Sequence, residues 1–187
     1  NSGSMSIWQT ALTDNFTSFI GVFAITGVDY QIAVITTDDE TFQGPILTDT
    51  TPDLATEFTD QAIAGTYGSS MEKGLHYAEL ATLPSGDAAP GSYFLRTDAK
   101  LIIIFVSDEK DWSSKTDLEY ATHFKSLKAT DSMAVTHAVV GDAPSGCDSP
   151  TSTWARADYG EGYIEVSDLM GGEFVSLCAE DWGAELE

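Results

Sequence analysis

The run Leu101-Ile-Ile-Ile-Phe-Val106 constrains the fold of this chain more than any other stretch. Its apolar character is continuous, not alternating. A strand of that kind is buried on both faces, as in the middle of a parallel sheet covered by helices. Other segments fit the same plan. Apolar residues recur at helical spacing through Ile7, Trp8, Ala11, Leu12, Phe16, Phe19, Ile20 and Phe23, which predicts a long helix with a wide apolar stripe. The stretch 29–37, with Tyr30, Ile32, Ala33, Val34 and Ile35, reads as a second strand buried on both faces. A polar loop over 38–52 holds a short edge strand at Ile46–Leu47.

Further helices are predicted over 52–64, opened by Pro52, over 70–83, with Met71, Leu75, Ala78 and Ala81 on one stripe, and over 116–128, with Leu118, Ala121, Phe124 and Leu127 inward. A strand at 134–140, a short helix at 163–170 and a last strand at 173–177 complete the series. Strands alternating with helices predict a single α/β domain over 1–187, with a mostly parallel central sheet and helices on both faces. In such sheets ligands sit beyond the carboxyl ends of the strands, so the loops after the strands are where a site is sought.

Charge excludes several partners. Thirty acids against eight bases give a formal net charge of −22. That surface repels nucleic-acid phosphates and anionic lipid, and attracts cations. No apolar run approaches the roughly 18 residues needed to span a bilayer. The two cysteines, Cys147 and Cys178, fit no zinc spacing and favour a disulfide formed in an oxidising compartment. His76, His123 and His137 are isolated, and no nucleophile has a base at its side in sequence, so an enzyme is not expected.

Three segments carry candidate chemistry: Asn1-Ser2-Gly3-Ser4-Met5 before the long helix, Gly68-Ser69-Ser70-Met71-Glu72-Lys73-Gly74-Leu75, and Val106-Ser107-Asp108-Glu109 at the end of the strongest strand. A purely structural account competes for each. Ser2 and Ser4 suit a helix N-cap, Ser69 suits the cap of a helix starting at Ser70 with Glu72 in its first turn, and Asp108 suits a turn. Together, in this order, the segments resemble the von Willebrand factor type A family, a Rossmann-like three-layer α/β/α fold, and most closely its secreted bacterial members. Gly171-Gly172, Cys178 and Asp181-Trp182 add to the likeness.

That resemblance implies a metal-ion-dependent adhesion site. Ser2 and Ser4 match the two serines of its Asp-x-Ser-x-Ser loop, Ser69 stands where a Thr is usual, and Asp108 matches its later Asp. The first Asp of the motif, and the apolar central strand leading into it, would precede Asn1. The expectation is therefore a fragment whose first central strand, lying between 29–37 and 100–107, is missing or supplied by another polypeptide. The implied cofactor is Mg²⁺, with Mn²⁺ or Ca²⁺ as alternatives, held by oxygens and open to a carboxylate from a protein partner. Glu109 and Asp111 would tune the ion from behind its ligands. The implied role is a non-enzymatic extracellular, cell-surface or periplasmic adhesion domain. The alternative is a structural subunit of a bacterial surface filament or assembly with a vestigial metal site.

Overall fold

The computed structural model describes residues 3–182, with the side chains of 17–26 left aside. A 3-10 turn at Gly3–Met5 leads directly into helix α1, Ser6–Thr26. Helix α2, Leu54–Ala62, and helix α3, Gly74–Thr82, follow before strand β1, Leu101–Ser107. Then come helix α4, Asp117–Ser126, strand β2, Ala134–Val140, a two-residue hairpin pair β3, Cys147–Asp148, and β4, Arg156–Ala157, helix α5, Tyr163–Met170, and strand β5, Phe174–Ser176.

The main sheet has the order β1-β2-β5, and both pairings are parallel. Register runs from Leu101 opposite Ala134 to Ser107 opposite Val140. Alternate residues of β1 and β2 serve two cores, as the two-residue period of a strand requires. Phe105, Ala138 and Val140 pack with Leu75, Phe124 and Tyr163 of α3, α4 and α5. Val139 and Val175 pack on the other face with Met5, Trp8, Leu177 and Trp182. The chain is thus mixed α/β, with α3, α4 and α5 on one face of the sheet and α1 on the other. A third cluster, built on Phe16, Leu47, Phe58 and Ala62, joins α1 to α2; the Phe16 and Phe58 rings stack with centroids 3.5 Å apart.

Local chemistry explains where the elements begin. At α4 the Thr116 hydroxyl accepts from the Glu119 N–H, and the Glu119 carboxylate accepts from the Thr116 N–H at 2.9 Å, a reciprocal capping box. Cys147 and Cys178 form a disulfide, with Cα atoms 6.2 Å apart, that ties the β3–β4 hairpin to the segment after β5. Among the described residues no helix is long and apolar enough to cross a membrane.

Four expectations need correction. The 29–37 segment is not a strand; a single antiparallel bridge joins Ile32 to Leu47, and the segment is half-buried. Strand β1 lies at the edge of its sheet, not in the middle, and Ile102 is 44% exposed. Helix α3 starts at Gly74, not Ser70, which leaves Met71 outside the helix and exposed. In α4, Tyr120, Ala121 and Phe124 face the core while Leu118 is 64% exposed. A helical stripe read at one phase shifts when a large aromatic two positions on fills the core better.

Candidate functional site

Strand β1 ends at Ser107, and Asp108 follows it at the carboxyl edge of the sheet. Asp108 is 2% exposed, and among the described residues neither carboxylate oxygen has a hydrogen-bond partner of good geometry. A buried charge in that condition is costly. Burial accordingly pushes its pKa up to about 6; the Ser4 hydroxyl opposes the rise, and the Glu72 carboxylate adds to it. The turn that opens α1 thus brings Ser4 to Asp108, across the whole intervening chain. The Asp108 carbonyl is held separately, accepting from the Asp158 N–H at 2.8 Å.

Glu72 lies before α3 and not in its first turn. It is fully buried and accepts from the Ser107 hydroxyl at 2.7 Å. Its backbone carbonyl accepts from the Trp112 N–H at 2.8 Å. Glu109 lies beside this pair. Burial raises its pKa first, followed by the charges of Asp108, Glu72 and Asp158. The sequence signal for Glu72 is an acid inside the Gly68–Leu75 segment, where a helix starting at Ser70 would hold it in the first turn; the later start of α3 leaves it in the buried loop before the helix.

The start of α3 shows why Glu72 lies before the helix and not in it. Three backbone donors at its amino end find acceptors far along the chain. The Gly74 N–H donates to the Tyr163 hydroxyl at 3.1 Å, the Leu75 N–H to Asp111 Oδ1 at 3.2 Å, and the His76 N–H to the Ser113 hydroxyl at 3.0 Å. These donors would otherwise be unsatisfied, as at any helix start. Only glycine fits at 74, because an added Cβ would lie 2.8 Å from the Tyr163 hydroxyl oxygen. Asp111 is therefore a helix cap. Burial raises its pKa, and hydrogen bonds from Ser113 and Leu75 hold it back. Trp112 is exposed at the rim, with Lys110 Nζ 4.3 Å from its ring centroid.

Of the four metal positions that the resemblance implies, Ser4 and Asp108 come together. Ser2 lies outside the described residues. Ser69 is exposed; its hydroxyl accepts from the Met71 N–H at 3.0 Å, and its own N–H donates to Asp38 Oδ2 at 2.7 Å. The Ser69 hydroxyl thus serves its own loop instead of capping a helix at Ser70. Among the described residues no three His, Cys, Asp or Glu side chains form a metal-ligating group. Among the described residues the site offers one buried carboxylate with no hydrogen-bond donor of good geometry, a second buried carboxylate close by, and the Ser4 hydroxyl. That arrangement is relieved by a proton or by a cation.

A scan against models of known protein families gives no match. A search of curated proteins gives no match either, and neither does a search of solved structures.

Proposed function

We propose that the chain is an extracellular, non-enzymatic binding domain that takes a divalent cation at Asp108 and, through it, a carboxylate from a protein partner. The observation that carries this reading is the Asp108 carboxylate, buried at the carboxyl end of β1 and, among the described residues, without a hydrogen-bond donor of good geometry. Ser4 and Asp108 would hold the ion, with Ser2 and Ser69 as the further hydroxyls that the von Willebrand factor type A resemblance implies. Glu72 and Glu109 add negative potential behind Asp108. A hard ion such as Mg²⁺, or Mn²⁺ or Ca²⁺, bound by few carboxylates keeps its appetite for one more anionic oxygen. The disulfide is compatible with an oxidising location.

The test is calorimetric titration of the chain with Mg²⁺ and with Mn²⁺ at pH 7.5, beside Asp108→Asn. Saturable heat that Asp108→Asn abolishes supports the reading. No saturable heat, or the same heat from the variant, removes it. A second reading, a structural subunit of an extracellular assembly, is favoured by the place of β1 at the edge of the sheet that the described residues form.

A further inference from the structure

Strand β5 joins the sheet through three residue pairs, Ala138 with Phe174, Val139 with Val175 and Val140 with Ser176. Just ahead of them, Glu173 makes two further bonds to β2. Its carbonyl accepts from the Ala138 N–H at 3.0 Å. Its N–H donates to a side chain, Nδ1 of the His137 ring, 3.1 Å away. Gly172 permits the close approach, since a Cβ there would lie 1.7 Å from the Thr136 carbonyl oxygen. The Gly172 N–H turns back to α5 and donates to the Ser167 carbonyl at 3.0 Å. An imidazole thus helps to hold the turn between α5 and β5 against the sheet.

A backbone N–H can only donate. Nδ1 therefore presents its lone pair, and the ring is neutral with its hydrogen on Nε2. Protonation puts a hydrogen on both nitrogens and sets donor against donor. Turning the ring over presents a carbon in place of Nδ1. Neither arrangement of the charged ring keeps the bond.

Histidine is the side chain whose charge changes in mild acid. His137 is half-buried, and burial lowers its pKa from the ordinary 6.5; the Glu173 carboxylate opposes that shift, and the Lys100 ammonium adds to it. The residues beside it on β2, Thr136 and Ala138, and opposite it on β1, Ile104, do not titrate. Helix α1, on this face of the sheet, has one titratable side chain, Asp14, and it is not among the groups that act on the ring. The sign follows. The unfolded chain takes the proton first as pH falls through 6.5, so the stability that the neutral ring contributes is lost as pH falls toward the lower folded value.

We infer that the His137 ring is an acid-operated latch: neutral, it fastens the Gly171–Glu173 turn to β2, and protonated, it lets that turn go. The far end of β5 stays tied, because the Leu177 N–H donates to the Val140 carbonyl at 2.8 Å and Cys178 is held in the disulfide. The change is thus confined to the amino end of the strand. The inference does not depend on the cation reading, and its test is run in EDTA.

The test uses the whole chain labelled with nitrogen-15. Long-range proton–nitrogen spectra at pH 7.5 should show His137 with its hydrogen on Nε2 and a bare Nδ1. The ring should titrate below its ordinary 6.5. At the same midpoint the Glu173 amide should lose protection from exchange, at least about fivefold after correction for intrinsic exchange, as the loss of one hydrogen bond implies. The Leu177 amide should keep its protection. His137→Asn sets a carbonyl oxygen at the δ position, which accepts without titrating, and should hold the Glu173 amide equally at every pH. A ring with its hydrogen on Nδ1 at neutral pH, a Glu173 amide indifferent to the titration of His137, or the same pH response in His137→Asn overturns the inference. Equal loss at Leu177 also overturns it, because the whole strand would then be opening. The parent spectra decide the matter even if the variant does not fold.

Discussion

The Ser107 hydroxyl donates to the buried Glu72 carboxylate at 2.7 Å, joining the last residue of β1 to a loop 35 positions away in sequence. A hydrogen bond to a buried charged group is worth more than one between neutral groups, about 1.5–3 kcal/mol. Ser107→Ala is expected to destabilise the chain by about 2 kcal/mol. Urea unfolding at pH 7.5 checks this as a lower midpoint at unchanged slope. A loss under about 0.5 kcal/mol would mean that this bond does not anchor the loop.

Asp108 makes stability depend on pH in a direction set by its raised pKa. Well below pH 3.8 the carboxyl is protonated in both the folded and unfolded chain and imposes no penalty. Between its ordinary 3.8 and about 6 the unfolded chain ionises first, so stability falls as pH rises. Above that window the loss is constant, on the order of 3 kcal/mol. Asp108→Asn, compared with the parent chain in EDTA, is expected to gain stability at pH 8 and to show no gain at pH 3.5. Thermal or urea unfolding at both pH values provides the comparison, and a variant less stable at pH 8 contradicts the expectation.

Gly74 has no room for a side chain, since Tyr163 is fully buried and cannot swing away. Gly74→Ala is expected to cost about 1–3 kcal/mol through overpacking. Tyr163→Phe should cost about 1 kcal/mol by removing the hydroxyl that accepts from the Gly74 N–H. Because the two changes share one contact, the double variant should be more stable than the sum of single losses predicts. Strict additivity would separate the two effects.

The disulfide closes a loop between residues 31 apart, for which chain-entropy reasoning gives about 3–4 kcal/mol. Cys147→Ser with Cys178→Ser should lower the unfolding free energy by about that amount, and reductant should lower the parent chain to the same midpoint. A reductant-insensitive midpoint would show that the β3–β4 hairpin is held by its packing alone.

Much of the architecture was legible because it rests on local pattern. The runs at Leu101–Ser107 and Ala134–Val140 declare strands, and Tyr163–Met170 is bounded by glycines on both sides. The 29–37 segment has equally strong strand composition, but among the described residues its pairing is a single bridge from Ile32 to Leu47, and a strand is defined by pairing as much as by residue type. At the site, Asp108 was legible from its place after a strand. Glu72 was not, because its burial depends on Ser107 and Trp112 arriving from another part of the chain. The reading of Ser69 as a helix cap fails because α3 begins five residues later than the serine, with its amino end capped from elsewhere.

That borrowed cap has a kinetic corollary. The first turn of α3 holds its shape only while α5 supplies Tyr163 and the loop after β1 supplies Asp111 and Ser113. Fraying cannot begin there one residue at a time, as it does at a helix end sealed by its own side chain. The amides of Gly74, Leu75 and His76 should be released in one concerted event, at the pace at which two distant parts of the fold let go together.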